Sequence, residues 1–285
     1  MSIEDIILSH DRRGISWLRD HLPADFCRRA AAFLLDSMER GGGPAIITTG
    51  FYVFRAGAAE TDGPPGAIAL GRALQWLDFE VVYVTDKYGV PLLSSELARQ
   101  GRVVEFPITD QESSRRFAWH LLAEIQPSVL VSVERCGFTG DHRYLNMAGD
   151  DITDFTASID YLFLCGRASL GIGDGGNEIG MGNLARYIPA VATLPPRPAL
   201  TPVEKLVIAS VSNWGAYGVV AGVSGLVRRN LLPSPEWERA LINELVAGGA
   251  VDGFSGQRRS AVDGFDLEDN AWALVELHRA LERIC

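Results

Sequence analysis

The stretch "GIGDGGNEIGMGN", residues 171–183, carries six glycines in thirteen positions. Glycine weakens helices and strands alike, so such a density needs a reason. Between the glycines stand Asp174, Asn177 and Glu178. Oxygen donors of this kind hold an ammonium group or a hard divalent cation such as magnesium or manganese. Backbone without a Cβ also lets N–H groups approach a carboxylate. A turn whose Asp and Asn bond their own backbone is the plainer account of the same letters. A second stretch, "ETDGPPG" at 60–66, combines Glu60 and Asp62 with strong turn chemistry. Pro65 suits the first turn of a helix, whose N-terminus attracts anions. Further polar residues end apolar runs: Thr85 with Asp86, Glu134 with Arg135, and "SNWG" at 212–215. Asp86 could equally cap a helix. Asp141, His142 and Arg143 read as a solvated loop.

Several chemistries are excluded by spacing. Gly171, Gly173 and Gly176 match G-x-G-x-x-G, but late in the chain and with no acid about twenty residues on, where a dinucleotide site wants one. Asp174 would repel a pyrophosphate, so neither NAD nor FAD is expected. No P-loop, G-x-S-x-G elbow or H-E-x-x-H helix occurs. The four cysteines show no C-x-x-C pair, so zinc is not expected. They suit a reducing compartment.

These residues need elements to position them. Residues 3–40 read as helices, with Phe26, Ala30, Phe33, Leu34 and Met38 on one stripe. Apolar strands are then expected at 45–50, 80–86, 102–107, 128–134, 161–166 and 205–212. Helices are expected at 65–77, 90–100, 111–125, 216–229, 235–247 and 267–283. Continuous apolar strands separated by helices predict an open, doubly wound, mostly parallel α/β sheet with helices on both faces. Such sheets bind ligands beyond the carboxyl ends of their strands, where Glu60, Asp62, Asp86, Glu134, Asp174 and Glu178 would converge. "VDGF" occurs at 251 and again at 262, too short a period for a solenoid, and reads as two similar turns. The domain reading is an N-terminal helical segment, 1–40, packed on a single domain, 41–285.

The chain has 285 residues, 47% of them hydrophobic and 22% charged, with a net charge of -10. A large core is affordable at this length. The acidic balance argues against a nucleic-acid partner. No signal peptide and no transmembrane run is read, so no membrane partner is expected and the expected location is the cytoplasm. Oligomeric state is left open, a homo-oligomer included.

The motifs "TGFYVFRAGAAETDGPPGAIALGRAL", "VVYVTD", "VSVERCG", "YLNMAGDDIT", "GIGDGGNEIGMGN", "VSNWGAYG" and "GGAVDGFSGQRRSAVDGF" resemble the D-glutamate cyclase C-terminal-domain family over roughly residues 40–285. The resemblance implies a Rossmann-like fold and the conversion of D-glutamate to 5-oxo-D-proline and water. Longer relatives carry a larger hydro-lyase-type domain ahead of this one, and the chain is read as a standalone form. In that reaction the α-amine attacks the γ-carboxyl carbon. A carboxylate must take the ammonium proton, and a divalent cation or clustered donors must neutralise the γ-carboxylate. The expected site has Asp62, Asp174 and Glu178 as catalytic carboxylates, and Asp86, Asp174 and Glu178 as ligands of magnesium or manganese. Around the substrate stand Gly50, Thr61, Gly63, Glu134, Arg135, Gly175, Gly176, Asn177, Asn183 and Asn213. Arg55, Lys87, Arg135 and Arg143 are candidates for the second carboxylate. The alternatives are a non-catalytic module binding a small acid or nucleotide, and a lyase or hydrolase acting on a related amino acid or lactam.

Overall fold

A computed structural model describes residues 1–94 and 101–282. Six parallel strands form the central sheet: β1 (Ala45–Thr49), β2 (Val81–Thr85), β3 (Arg102–Glu105), β4 (Val129–Val133), β5 (Ser169–Gly173) and β6 (Lys205–Ile208), in the order β3-β2-β1-β4-β5-β6. Strands β1, β2, β4 and β5 are buried along their whole length, while edge strand β3 is only half covered. Burial on both faces is why these runs are continuously apolar. The chain winds outward from β1 in one direction, then returns to start β4 on its other side. The loops leaving β1 and β4 therefore open side by side, the position where such sheets bind ligands. The pair Thr49 and Val133 ends that register.

The flanking helices are α1 (Ile3–Ile7), α2 (Phe26–Gly41), α3 (Pro64–Gln75), α4 (Gln111–Ile125), α5 (Ser212–Val227), α6 (Pro235–Ala247) and α7 (Leu267–Leu281). In α2, Phe26, Ala30, Leu34 and Met38 are buried as the stripe predicts, while Phe33 is half-buried beneath Lys205. The helix packs on α5 so closely that a Cβ on Gly222 would lie 2.9 Å from the Ala31 methyl. Val90–Leu93 is helical, and the rest of the helix expected to residue 100 falls on 95–100, outside the described residues, as does position 283 of the last helix.

One element differs from expectation. The apolar run at 161–166 is not a strand: Asp160–Phe163 is a short helix, and the fifth strand is Ser169–Gly173. Asp160 decides this. Its buried carboxylate accepts hydrogen bonds from Tyr144 Oη (2.6 Å), the Phe138 amide (3.1 Å) and Thr201 Oγ1, which fixes the turn before the strand. The true strand carries two glycines because the glycine loop folds back over it. A Cβ on Gly171 would sit 2.8 Å from the Ile179 carbonyl, and one on Gly173 would sit 3.0 Å from the Glu178 carboxyl carbon. Glycine within a strand often marks such a close backbone approach.

Candidate active site

Asp62, in the loop between β1 and α3, does not cap its own helix. Its carboxylate accepts from the amides of Ser212 and Asn213, both at 2.9 Å, which open α5. Asn213 returns the favour: its Oδ1 accepts from the Gly63 and Gly66 amides, at 3.0 and 2.8 Å, at the start of α3. Each helix start is thus satisfied by a residue of the other, and an orphan N–H cluster at either end is avoided. Gly63 has φ +96°, and a Cβ there would lie 2.6 Å from Thr49 Oγ1, so no other residue fits this turn.

Glu134 follows β4 directly with φ +46°, a left-handed conformation uncommon outside glycine. Its carboxylate accepts from Ser212 Oγ. Asp174 follows β5 and pairs with Arg13 Nη1 at 2.6 Å. Carboxylate oxygens of Asp62, Glu134 and Asp174 lie within 4.8 Å of one another, and all three residues are buried. Glu60 and Asp263 stand nearby, both buried. Arg13 binds Asp263 through two hydrogen bonds of 2.7 and 2.8 Å.

Such crowding shifts protonation. Burial, then the charge of Asp263, raises Asp62 to about 7. Burial and neighbouring acids push Glu60 and Glu134 well above the carboxylate range. Asp174 is also pushed up by burial, with the Arg13 guanidinium opposing the rise. Asp263 is the exception: burial would raise it, but the charge and hydrogen bonds of Arg13 outweigh burial and hold it below 3.8.

Of these acids, Glu60, Glu134 and Asp174 form the floor of a cavity of about 520 Å³, with Arg12, Arg13 and Arg55 beside them, while Asp62 and Asp263 lie behind that floor. Arg12 stacks on Phe265, 3.7 Å from the ring centre, and Arg55 donates to the carbonyls of Gly253 and Phe254. Neither Arg12 nor Arg55 is paired with a carboxylate among the described residues. The chamber is therefore amphoteric, with acids below and guanidinium groups at the side. That composition complements a small molecule bearing both an ammonium and carboxylates.

The structure distributes the expected residues unevenly. Asp62, Glu134 and Asp174 meet, and Arg55 lines the cavity. Glu178 turns back into its own loop, where its carboxylate accepts from the amides of Asp174, Gly175 and Gly176 at 2.5–3.2 Å. The amides of Gly175 and Gly176 are thereby engaged by Glu178 rather than offered to a ligand. Asp86 forms a buried ion pair with Arg135 at 2.6 Å, and Arg135 also donates to the carbonyls of Gly50 and Ala157. Among the described residues the acids close enough to share a cation are Asp62, Glu134 and Asp174; of the expected ligands Asp86, Asp174 and Glu178, Asp174 is in that group, and the other two have the partners just described. Asn177 donates to the Leu145 carbonyl, though it also lines the cavity. Asn183 clasps Val203, and Thr61 Oγ1 donates to the Ala261 carbonyl. Lys87 lies over Tyr88, and Arg143 pairs with Asp151.

Arg12, Arg13 and Asp263 were not expected. The repeated "VDGF" held the only sequence signal, since Asp263 sits in its second copy; the two copies meet where the Gly264 amide donates to Asp252 at 2.7 Å. Nothing near "HDRRG" marks Arg13.

Fold and site together define a doubly wound α/β protein with a carboxylate-rich cavity at the point where the strand order reverses. The chain belongs to the family described as D-glutamate cyclase-like, C-terminal, whose model matches residues 3–278. That match takes in the N-terminal segment, whose bend after α1 supplies Arg13, beyond the resemblance seen from residue 40 onward. The chain is also similar to the human protein "D-glutamate cyclase, mitochondrial", with 34% identity over 203 residues. The match covers 62% of this chain and 32% of the relative, so the chain corresponds to about a third of that relative's length. Among the described residues, no helix is long and apolar enough to cross a membrane.

Proposed function

We propose that the protein is a lyase of the D-glutamate cyclase type, converting D-glutamate to 5-oxo-D-proline with loss of water. Supporting this reading most directly is the mutual approach of Asp62, Glu134 and Asp174, the last two at the floor of a cavity flanked by arginines. The substrate ammonium goes to the acids, and the substrate carboxylates to Arg12, Arg13 and Arg55. Binding in this bent pose brings the amine near the γ-carbon, and ring closure gains from proximity. Asp174, whose upward shift on burial is opposed by the Arg13 guanidinium, takes the ammonium proton. Glu134, pushed up by burial and by Glu178, Asp62 and Glu60, holds a proton for the departing γ-oxygen. Asp174 beside a guanidinium and Glu134 beside other acids thus divide the base and acid roles.

The same donors fit a divalent cation. They are hard oxygens, buried, close together, and surrounded by more negative than positive charge. Asp62 keeps capacity to bind one, because its backbone partners take three of about four lone-pair positions. Asp62, Glu134 and Asp174 would hold the ion, which supplies neutralisation of the γ-carboxylate. The cytoplasmic location belongs to the same proposal.

The test uses the purified chain with D-glutamate, with L-glutamate as control, in magnesium, manganese or chelator. Product is followed on a chiral column. Formation of 5-oxo-D-proline from the D form alone supports the reading. Thermal stabilisation by D-glutamate without product points instead to a binding module.

A further inference from the structure

The cavity is larger than the proposed substrate, and its outer part has the wrong chemistry for it. Pockets of roughly 300–1,000 Å³ accommodate drug-sized ligands. This one, at about 520 Å³, lies within that range, whereas glutamate is a far smaller molecule with a short aliphatic chain. The lining acids that meet on the floor are buried, while two aromatic rings of the lining are exposed, together with Arg12, Arg55 and Asp150. Glu60, Glu134 and Asp174 are at most 6% exposed, whereas the cavity residues Phe54 and Phe254 are 48% and 61% exposed. Large aromatic rings left in water at the mouth of a polar cavity need a partner.

The rings are also held in place. Phe54 stands edge-on to Phe155, with 5.7 Å between ring centres. Phe155 in turn stacks on Tyr52 at 4.7 Å with planes 2° apart, and Tyr52 lines the cavity too. Arg55, next to Phe54, donates to the Phe254 carbonyl and so ties the two sides of the mouth together. The carbonyl acceptors leave the Arg55 charge uncompensated, which keeps a carboxylate-binding group at the boundary between acid floor and aromatic mouth.

We infer that the site also takes γ-glutamyl amides of D-configuration whose amide nitrogen carries an apolar or aromatic group, and releases that group as an amine. This inference rests on the cyclase reading and extends it. The glutamyl part fills the polar floor as glutamate does. Its γ-carbon stays within reach of the floor acids, and the substituent on the amide nitrogen runs outward between Phe54 and Phe254. The step balances without water. The α-nitrogen forms a bond to the γ-carbon, and the bond from that carbon to the amide nitrogen breaks. Its electron pair leaves with the amine. The α-nitrogen gives up two protons to the floor carboxylates, one from the ammonium before attack and one from the ring nitrogen after it, and both pass to the departing nitrogen, which leaves as the amine in its ammonium form. The products are 5-oxo-D-proline and the free amine.

The experiment compares two substrates of equal amide chemistry and different tail, D-γ-glutamyl benzylamide and D-γ-glutamyl methylamide, with the L-benzylamide as control and D-glutamate in parallel. Adding one ring's worth of apolar contact in a pocket is expected to raise kcat/KM at least about tenfold. In Phe254→Ala and Phe54→Ala the benzyl-to-methyl ratio falls toward one, and Phe254→Leu restores part of it. Thermal melting checks that each variant is folded. Turnover of D-glutamate with no release of amine from either amide overturns this inference and leaves the cyclase reading standing. Equal rates for the two amides overturn the assignment of the aromatic mouth. Amide turnover without D-glutamate turnover supports the inference against the simpler reaction, and absence of turnover on all of them overturns both.

Discussion

Arg13 and Asp263 are 250 positions apart in the chain and face each other through two hydrogen bonds, while Nη1 of the same guanidinium reaches Asp174 at 2.6 Å. One cation thus favours the ionised form of two acids: it outweighs burial at Asp263 and only opposes burial at Asp174. Arg13→Lys replaces a planar fork with a point charge that cannot span both partners. With less positive charge beside it, Asp174 rises further. The acidic limb of kcat/KM against pH is expected to move upward by about one unit, within the range that a nearby opposite charge commands. A pH–rate profile of the two proteins checks this; an unmoved limb would separate Arg13 from the base.

Asp174 and Glu178 share one glycine loop and should fail differently. Asp174→Asn removes the proton acceptor, and turnover is expected to fall by roughly 10²–10⁴ with the melting temperature nearly kept. Glu178→Gln weakens the acceptor for three amides, and the cost appears as about 1–3 kcal/mol of stability. Denaturant unfolding and steady-state rates on both variants read the split. Equal losses of stability would erase it.

A divalent cation at Asp62, Glu134 and Asp174 would bind the folded chain alone. At a hundred times its dissociation constant, manganese or magnesium is expected to stabilise the protein by about 2.7 kcal/mol, reversibly on adding chelator. Glu134→Gln should lose the effect. Melting curves that ignore the ion would argue for a substrate ammonium as the sole cation of the floor.

Stability should fall as pH rises through the weakly acidic range. Burial raises Asp62 from 3.8 to about 7, and Glu238 in α6 from 4.5 to about 7. The folded chain therefore binds more protons than the unfolded one across that interval. The stability this confers is complete below the unfolded values and is lost by about pH 7. Asp263 has the opposite sign, since its lowered pKa contributes above 3.8 and fades in acid. Each fully coupled group gives at most about 1.4 kcal/mol per pH unit. Melting temperature measured from about pH 5 to pH 8 should decline, and Asp62→Asn should flatten the slope. A rising curve would contradict the burial argument.

The strands were readable because burial on both faces leaves no polar alternation to interpret, and the acids at their carboxyl ends were readable for the same reason. Glu134 and Asp174 each mark a point where a strand meets the rim, and Asp62 marks the turn into α3. Which rim acids turn inward was not readable. Asp86 and Glu178 look equally suitable in the sequence, but loop closure hands one to Arg135 and the other to the amides of its own turn. The misplaced fifth strand has a similar cause. "YLFLCG" is more apolar than "SLGIG", and the glycines that disfavour a strand locally are demanded by the loop lying against it. Arg13 lay beyond reach because its partners are fixed only by tertiary structure.

The cross-linked helix starts and the Arg13 clasp have a kinetic consequence. Asp62 meets Ser212 across 150 residues, and Arg13 meets Asp174 across 161. Contacts of such high sequence separation form late. During synthesis from the N-terminus, the acids of β1, β4 and β5 emerge and gather before their counter-charge is clasped by Asp263. A nascent chain that stops short of residue 263 carries the repulsion of the site without its restraint. Binding at the proposed site is therefore expected only once the chain is folded through residue 263.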